Sequence, residues 1–343
     1  MLQTALTLAV AALGGAMFVL LRAPLPWLLG ALVATAVAAQ FPVRLGVDLR
    51  LRAGAHAVLG VMIGSAFTPE LLSRAASWAL SLSAIPLYLV IAVPVAIVFG
   101  QRVMKLDPVT ATFANIPGGL SEMILSGSML GGDIRALGVA HLTRLSLILV
   151  LVPFALEWVT QASLSGMTGG PASLPPWDAL ILALSAGVGA LLGKALRLPT
   201  PYLMGALLVS AAVHLAGLTE ARPPGWLLAM VQVFIGALVG MQFRGANKGE
   251  TLRLVLGSGA LTLMLLLLAV VFAAVLTRLT GFGFLALSLA FVPGGIAEMA
   301  LIALLLNVDP VFVAAHHTLR VALILPLARV LRARLARREA DPG

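Results

Sequence analysis

Pro117-Gly118-Gly119-Leu120-Ser121-Glu122-Met123 returns later in the chain as Pro293-Gly294-Gly295-Ile296-Ala297-Glu298-Met299, and each copy lies inside a long apolar stretch. A helix breaker, two flexible residues and a carboxylate thus stand where a hydrocarbon surrounding disfavours all of them. The surroundings are apolar: 61% of the 343 residues are hydrophobic and 10% charged, with a mean hydropathy of +1.08. No water-soluble surface can be assembled from that composition. Apolar runs of helix-spanning length make the chain an all-α membrane protein whose first partner is the lipid bilayer.

The formal net charge is +9, but the basic residues are spread through short loops and one C-terminal tail. They read as topology signals and not as a nucleic-acid surface. The chain has no cysteine, which excludes disulfides, thiolate metal sites, Cys nucleophiles and iron-sulfur clusters. The segment from Leu2 to Leu21 has no leading basic cluster and reads as a retained first span, not a cleaved signal peptide.

Breaking the chain at Pro, Gly and charge gives six apolar segments per half. In the first half they run roughly Leu2 to Leu21, Leu25 to Ala39, Ala53 to Phe67, Trp78 to Gly100, Val109 to Leu130 and Ile134 to Trp158. The second half repeats the first at a nearly constant offset. Pro26-Trp27-Leu28-Leu29-Gly30-Ala31-Leu32 matches Pro201-Tyr202-Leu203-Met204-Gly205-Ala206-Leu207, and Asp133, His141 and Arg144 match Asp309, His317 and Arg320. The expected organisation is a membrane repeat over 1–158, a periplasmic linker over 159–176, a second repeat over 177–333 and a basic cytoplasmic tail over 334–343.

Basic residues also orient the repeats. If the Pro-Gly-Gly segment dips in and returns on one side while the other five segments span, both termini are cytoplasmic and the halves are inverted. That arrangement puts Arg44, Arg50, Arg52, Arg102, Lys105 and Arg135 inside with Lys194, Arg197, Arg244, Lys248 and Arg253, leaving only Arg22, Arg74, Arg222 and Arg278 outside. Parallel copies would move the second set out, so inverted repeats are favoured. Each repeat is expected to hold about five spanning helices plus one broken or re-entrant hairpin.

Pro117 and Pro293 remove a backbone donor, and Gly118, Gly119, Gly294 and Gly295 allow torsions closed to other residues, so regular helix should stop there. A restarting helix offers N–H groups to an anion; carbonyls left by the preceding half-helix, with a side-chain oxygen, suit a cation. Glu122 and Glu298 are the leading candidates for ion or substrate binding, either protonated or paired with Arg144 and Arg320. His141 and His317 precede those arginines by three residues, which places each pair on one helix face. A structural role for the pairs, fixing geometry without transport, is the competing reading. His316 and His317 point different ways and make no metal site.

Around the motif the copies differ. Thr112, Asn115 and Ser121 of the first face Ser288, Phe291 and Ala297 of the second. Thr112, Asn115, Ser121 and Ser288 are therefore second-rank ligands of an asymmetric site. Asp133 and Asp309 read as helix starts, and Gly60 with Gly64, like Gly236 with Gly240, as small faces for close helix packing.

The duplicated Pro-Gly-Gly element, the repeated Pro-x-Leu-[Leu/Met]-Gly-Ala-Leu element and the two-half layout together resemble the AbrB family of bacterial membrane proteins over essentially the whole chain. The resemblance implies a bacterial inner-membrane protein with kinship to inverted-repeat transporters, and no assigned substrate. Family labels such as regulator of gene expression or ammonia monooxygenase find no support here: there is no soluble DNA-binding domain, and the five histidines are dispersed. The expected function is secondary transport of a small solute or ion at a midplane site, coupled to a proton or sodium ion. The alternative is a membrane sensor acting indirectly on gene expression. No enzymatic activity and no cofactor are expected, and a homodimer is.

Overall fold

The structure, a computed structural model, describes residues 2–42, 45–69, 75–116, 120–160, 173–243 and 248–340. Among these it contains α-helices and no strand. The first repeat runs α1 (Leu2–Leu20), α2 (Pro26–Ala38), α3 (Leu49–Gly64), α4 (Ala79–Arg102), α5 (Pro108–Asn115), α6 (Leu120–Ser128) and α7 (Ile134–Thr160). The second runs α8 (Pro176–Ala195), α9 (Pro201–Leu215), α10 (Gly225–Met241), α11 (Lys248–Thr280), α12 (Phe284–Phe291), α13 (Ile296–Leu305) and α14 (Pro310–Ala340).

The duplication extends to backbone torsions. Arg22, Leu25, Lys105 and Gly131 have positive φ, and so do their counterparts Arg197, Thr200, Gly281 and Asn307. Leu25 and Thr200 each precede a proline, which disfavours right-handed helix at that residue and starts the next helix sharply. Asp133 Oδ1 accepts from Arg135 N at 2.8 Å and Ala136 N at 3.1 Å, and Asp309 Oδ1 accepts from Val311 N at 2.9 Å, so both aspartates are helix caps.

Among the described residues, six helices are long and apolar enough to cross a membrane: α1, α4, α7, α8, α11 and α14. α2, α9, α10 and α13 are apolar but shorter. α2 is buried along most of its length, which explains how a helix of about 20 Å is tolerated among longer ones. The basic tail expected as a separate segment from 334 is helical to Ala340, because α14 continues through its arginines without a breaker. Residues 161–172 of the linker, and with them most of that expectation, lie outside the described residues.

The helices group into two compact units, and each draws on both repeats. One comprises Met1–Ala76, Leu149–Gly245 and Ala297–Val311; the other comprises Ser77–Ile148, Ala246–Ile296 and Phe312–Gly343. Spatial division thus cuts across the sequence repeats, since helices of one copy bury their faces on helices of the other.

In the first unit the crossings rest on glycine. A Cβ on Gly60 of α3 would meet Leu203 O and come within 2.9 Å of Ala206 Cβ on α9; one on Gly236 of α10 would meet Leu28 O and come within 2.8 Å of Ala31 Cβ on α2. Gly64 and Gly240 make the equivalent approaches one turn later. The second unit holds the first hairpin. Asp133 N, just past α6, donates to Thr110 Oγ1 in the first turn of α5 at 2.8 Å, and Gly132 lies against Val109. The chain therefore leaves the hairpin at the level where it entered. With eight residues, α5 is about 12 Å long, well short of a hydrocarbon core of about 30 Å, so it is too short to cross a membrane alone.

Candidate functional site: two histidine-arginine clamps at the chain breaks

Both short helices stop in the same way. After Asn115 the chain turns extended at Ile116 (φ −62°, ψ 132°), and after Phe291 it does so at Val292 (φ −53°, ψ 133°). In the second repeat Pro293 is buried behind that turn, and Gly294 N donates back to Val292 O at 2.8 Å. Each stop strands the last carbonyls of a helix in an apolar surrounding, where they need donors.

The donors come from one face of the next long helix. His141 Nε2 lies 2.9 Å from Phe113 O, Arg144 Nη1 donates to Asn115 O at 3.1 Å, and Arg144 Nη2 lies 2.6 Å from His141 Nδ1. In the second repeat His317 Nε2 lies 2.8 Å from Leu289 O, Arg320 Nη1 donates to Val292 O at 2.6 Å, and Arg320 Nη2 donates to Gly294 O and to His317 Nδ1, the latter at 2.8 Å. A guanidinium only donates, so each Nδ1 must accept, and each Nε2 must carry the proton given to the carbonyl. Both imidazoles are thereby held as the neutral Nε2–H tautomer, with both nitrogens committed. His141, Arg144, His317 and Arg320 are all buried.

These clamps have an electrostatic consequence. The carbonyl end of a helix carries roughly half a negative charge, which a guanidinium complements. A carbonyl so occupied is a poor ligand for a second cation. Among the described residues, the hydrogen bonds of both arginines run to backbone carbonyls and to histidine.

The remaining expected residues fall into place around this frame. Pro117, Gly118 and Gly119 lie outside the described residues. Ser121 and Glu122 are in the first turn of α6, and their side chains are not described. Thr112 Oγ1 donates to Pro108 O at 2.7 Å and Asn115 Nδ2 to Ala111 O at 2.9 Å, so the buried Thr112 keeps only acceptor capacity, while the buried Asn115 keeps its second N–H and its carbonyl oxygen. Ser288 is buried, with no hydrogen-bond partner for its Oγ. Gly295 is half-buried, as is Glu298 in the first turn of α13. His316 turns away from His317, to Phe312 O at 2.8 Å and Ser81 Oγ at 2.9 Å.

One residue was missed by sequence reasoning. Tyr88 of α4 is fully buried, stands edge-on to Phe272 at 5.4 Å and to Phe291 at 5.6 Å, and its hydroxyl has no hydrogen-bond partner. It has no copy in the other half, where Met264 occupies its place, so a search for repeats passes over it. Its rarity was the available signal: the chain has two tyrosines.

The family model described as "Transition state regulatory protein AbrB" matches residues 27–336, which include both breaks and both clamps. The chain belongs to the AbrB family. Among relatives, the Bacillus subtilis (strain 168) protein named "Uncharacterized protein YhjN" is 26% identical over 347 residues, covering 93% of this chain and 90% of that protein. The Escherichia coli (strain K12) protein named "Putative regulator AbrB" is 26% identical over 314 residues, covering 90% of this chain and 89% of that protein. No solved structure matches. This AbrB-family chain is a multi-pass, all-α membrane protein, and its two clamps occupy equivalent positions in the two repeats.

Proposed function

We propose that this AbrB-family protein is a secondary transporter of a small solute or ion, with its substrate site near the bilayer midplane at the two broken segments. One observation carries the reading: in both repeats a helix stops inside the apolar region, and a buried histidine-arginine pair holds the stop in place. Membrane proteins tolerate non-helical backbone at depth where it is buried in protein or lines a polar path, and transporter repeats use such breaks for binding. No catalytic role, cofactor or nucleic-acid contact belongs to this reading.

Topology follows from parity. The re-entrant hairpin adds no crossing, and counting α2 and α3 in or out together leaves an odd number per half. The repeats are then inverted, and both termini lie on the cytoplasmic side of a bacterial inner membrane. The regulator names carried by the family refer, on this view, to indirect consequences of transport. Glu122 and Glu298 couple flux to a proton or sodium ion.

The test starts from a thermal-shift screen of purified protein against small organic acids, amino acids and ions, with hits carried into uptake by reconstituted vesicles. Glu122→Gln and Glu298→Gln should abolish or uncouple uptake. Unchanged coupled uptake in both variants would remove the carboxylates from the mechanism, and absence of any solute flux would remove transport. Labelling of the 161–172 segment from the periplasmic side alone is the expected topology result, and cytoplasmic labelling would overturn the inversion.

A further inference from the structure

Two buried guanidiniums of the second unit have, among the described residues, no carboxylate as a hydrogen-bond partner. Arg144 and Arg320 are both buried, and Arg320 lies close enough for its charge to act on Arg144. They are accompanied by donors without acceptors. Arg320 Nε and the Tyr88 hydroxyl are buried and have no hydrogen-bond partner. Tyr88 lies within electrostatic reach of both arginines. Its ring meets Phe291, the residue just before the Val292 carbonyl that holds Arg320. Phe272 stacks on Phe291 at 5.6 Å, so the polar group stands beside an apolar wall.

We propose that Arg144, Arg320 and Tyr88 form an anion-binding site for the carboxylate of a small organic monoacid, with the hydrocarbon part against Phe272 and Phe291. Two free donors beside two buried guanidiniums suit a carboxylate, which accepts at two oxygens. The aromatic wall favours an acid with an apolar body over a bare halide. Both histidines keep their roles as positioning residues, since each orients an arginine and neither has a free nitrogen. This site deepens the transporter reading, on which its role in flux rests, but its binding is measurable without transport.

The experiment compares sodium butyrate and sodium benzoate with butyramide, benzamide and sodium chloride, by thermal shift and calorimetric titration of the full-length protein in detergent. Wild type is measured beside Tyr88→Phe and Arg320→Lys. The carboxylates should stabilise wild type, and their neutral amides should not. Tyr88→Phe should weaken carboxylate binding about tenfold to 150-fold, as expected for one hydrogen bond to a charged group. It should leave the ligand-free melting temperature unchanged or raised, because it removes an unpartnered hydroxyl. Arg320→Lys should lose the carboxylate response if it folds, and Tyr88→Phe decides the matter if it does not. Equal binding of acids and amides, chloride binding as strong as butyrate, or carboxylate binding unchanged in Tyr88→Phe would each overturn the proposal. Carboxylate binding without uptake in vesicles would retire the transporter reading and leave the site standing. Uptake of other solutes without carboxylate binding would do the reverse.

Discussion

The two repeats end their short helices with the same clamp but surround it differently. In the first, the helix end is polar: Asn115 occupies it, its amide held by Ala111 O and lying against Gly100, where even a Cβ would collide with it. In the second, the equivalent end is aromatic, with Phe291 packed by Tyr88 and Phe272. Among the described residues Arg144 grips the Asn115 carbonyl and its histidine, and Arg320 grips the Val292 and Gly294 carbonyls and its histidine; Gly118, the counterpart of Gly294, lies outside the described residues. Duplication has preserved the device that makes a break tolerable and has let the neighbouring side chains diverge.

The sharpest way to break that comparison is to remove the guanidiniums one at a time. Arg320→Ala strands Val292 O, Gly294 O and His317 Nδ1 without donors, at about 1–3 kcal/mol for each unmet buried group. A loss of about 5 kcal/mol, or failure to fold, is expected. Arg144→Ala strands Asn115 O and His141 Nδ1 and should likewise destabilise, by about 1–3 kcal/mol for each group. Melting temperatures in one detergent provide the readout, and an unchanged melting temperature in either variant would show that its clamp carries no weight.

Exchanging the linings tests the divergence itself. Phe291→Asn removes a ring from an aromatic cluster and buries an amide in its place, and by analogy with Phe-to-Ala truncations should cost about 3–5 kcal/mol. Asn115→Phe forces a ring toward Gly100 and should cost about 1–3 kcal/mol by overpacking. Both are measured by thermal melting. If either exchange is neutral, the two ends are interchangeable and the asymmetry has no structural content.

Much of this was legible in the chain, and the reasons differ by residue. The all-helical membrane class and the repeat followed from hydropathy and a fixed offset, because lipid permits few alternatives. Asp133 and Asp309 were readable as caps, and Gly60 and Gly236 as crossing points, because those roles need particular residues at particular spacing. The pairing of His141 with Arg144 was readable from helical periodicity, but its target was not. The described bonds of the arginines go to carbonyls, and nothing in a side-chain pattern reports where a backbone acceptor has been stranded; the expected pairing of Arg144 with Glu122 involves a side chain outside the described residues. The split into units was equally hidden, since helices apolar on several faces do not say whether they bury against their own copy or the other.

The glycine crossings should behave in the opposite manner to the clamps. Gly60→Ala and Gly236→Ala each push a Cβ into a backbone carbonyl of the opposing helix, with the neighbouring alanine Cβ within 2.9 Å and 2.8 Å respectively. Losses of about 1–3 kcal/mol are expected, equal for the two variants to within about 1 kcal/mol, because the approaches are nearly identical. A large difference in melting temperature between them would show that the first unit is less symmetric than its contacts.

Thr110→Ala should have the smallest effect, and it converts one hairpin to the chemistry of the other. Thr110 Oγ1 accepts from Asp133 N where the hairpin closes, while the equivalent residue of the second repeat is Ala286, which has no hydroxyl. Losing this bond should cost about 0.5–1.5 kcal/mol. The cap that Asp133 makes to Arg135 N and Ala136 N is untouched, so α7 should start where it does now. Hydrogen exchange offers the decisive readout: the Asp133 amide should lose protection while the amides of Arg135 and Ala136 keep theirs. Loss of protection throughout the start of α7 would mean that closure of the hairpin and capping of the helix are a single cooperative event. In that case the second repeat, which closes without a threonine, must achieve its closure through other contacts.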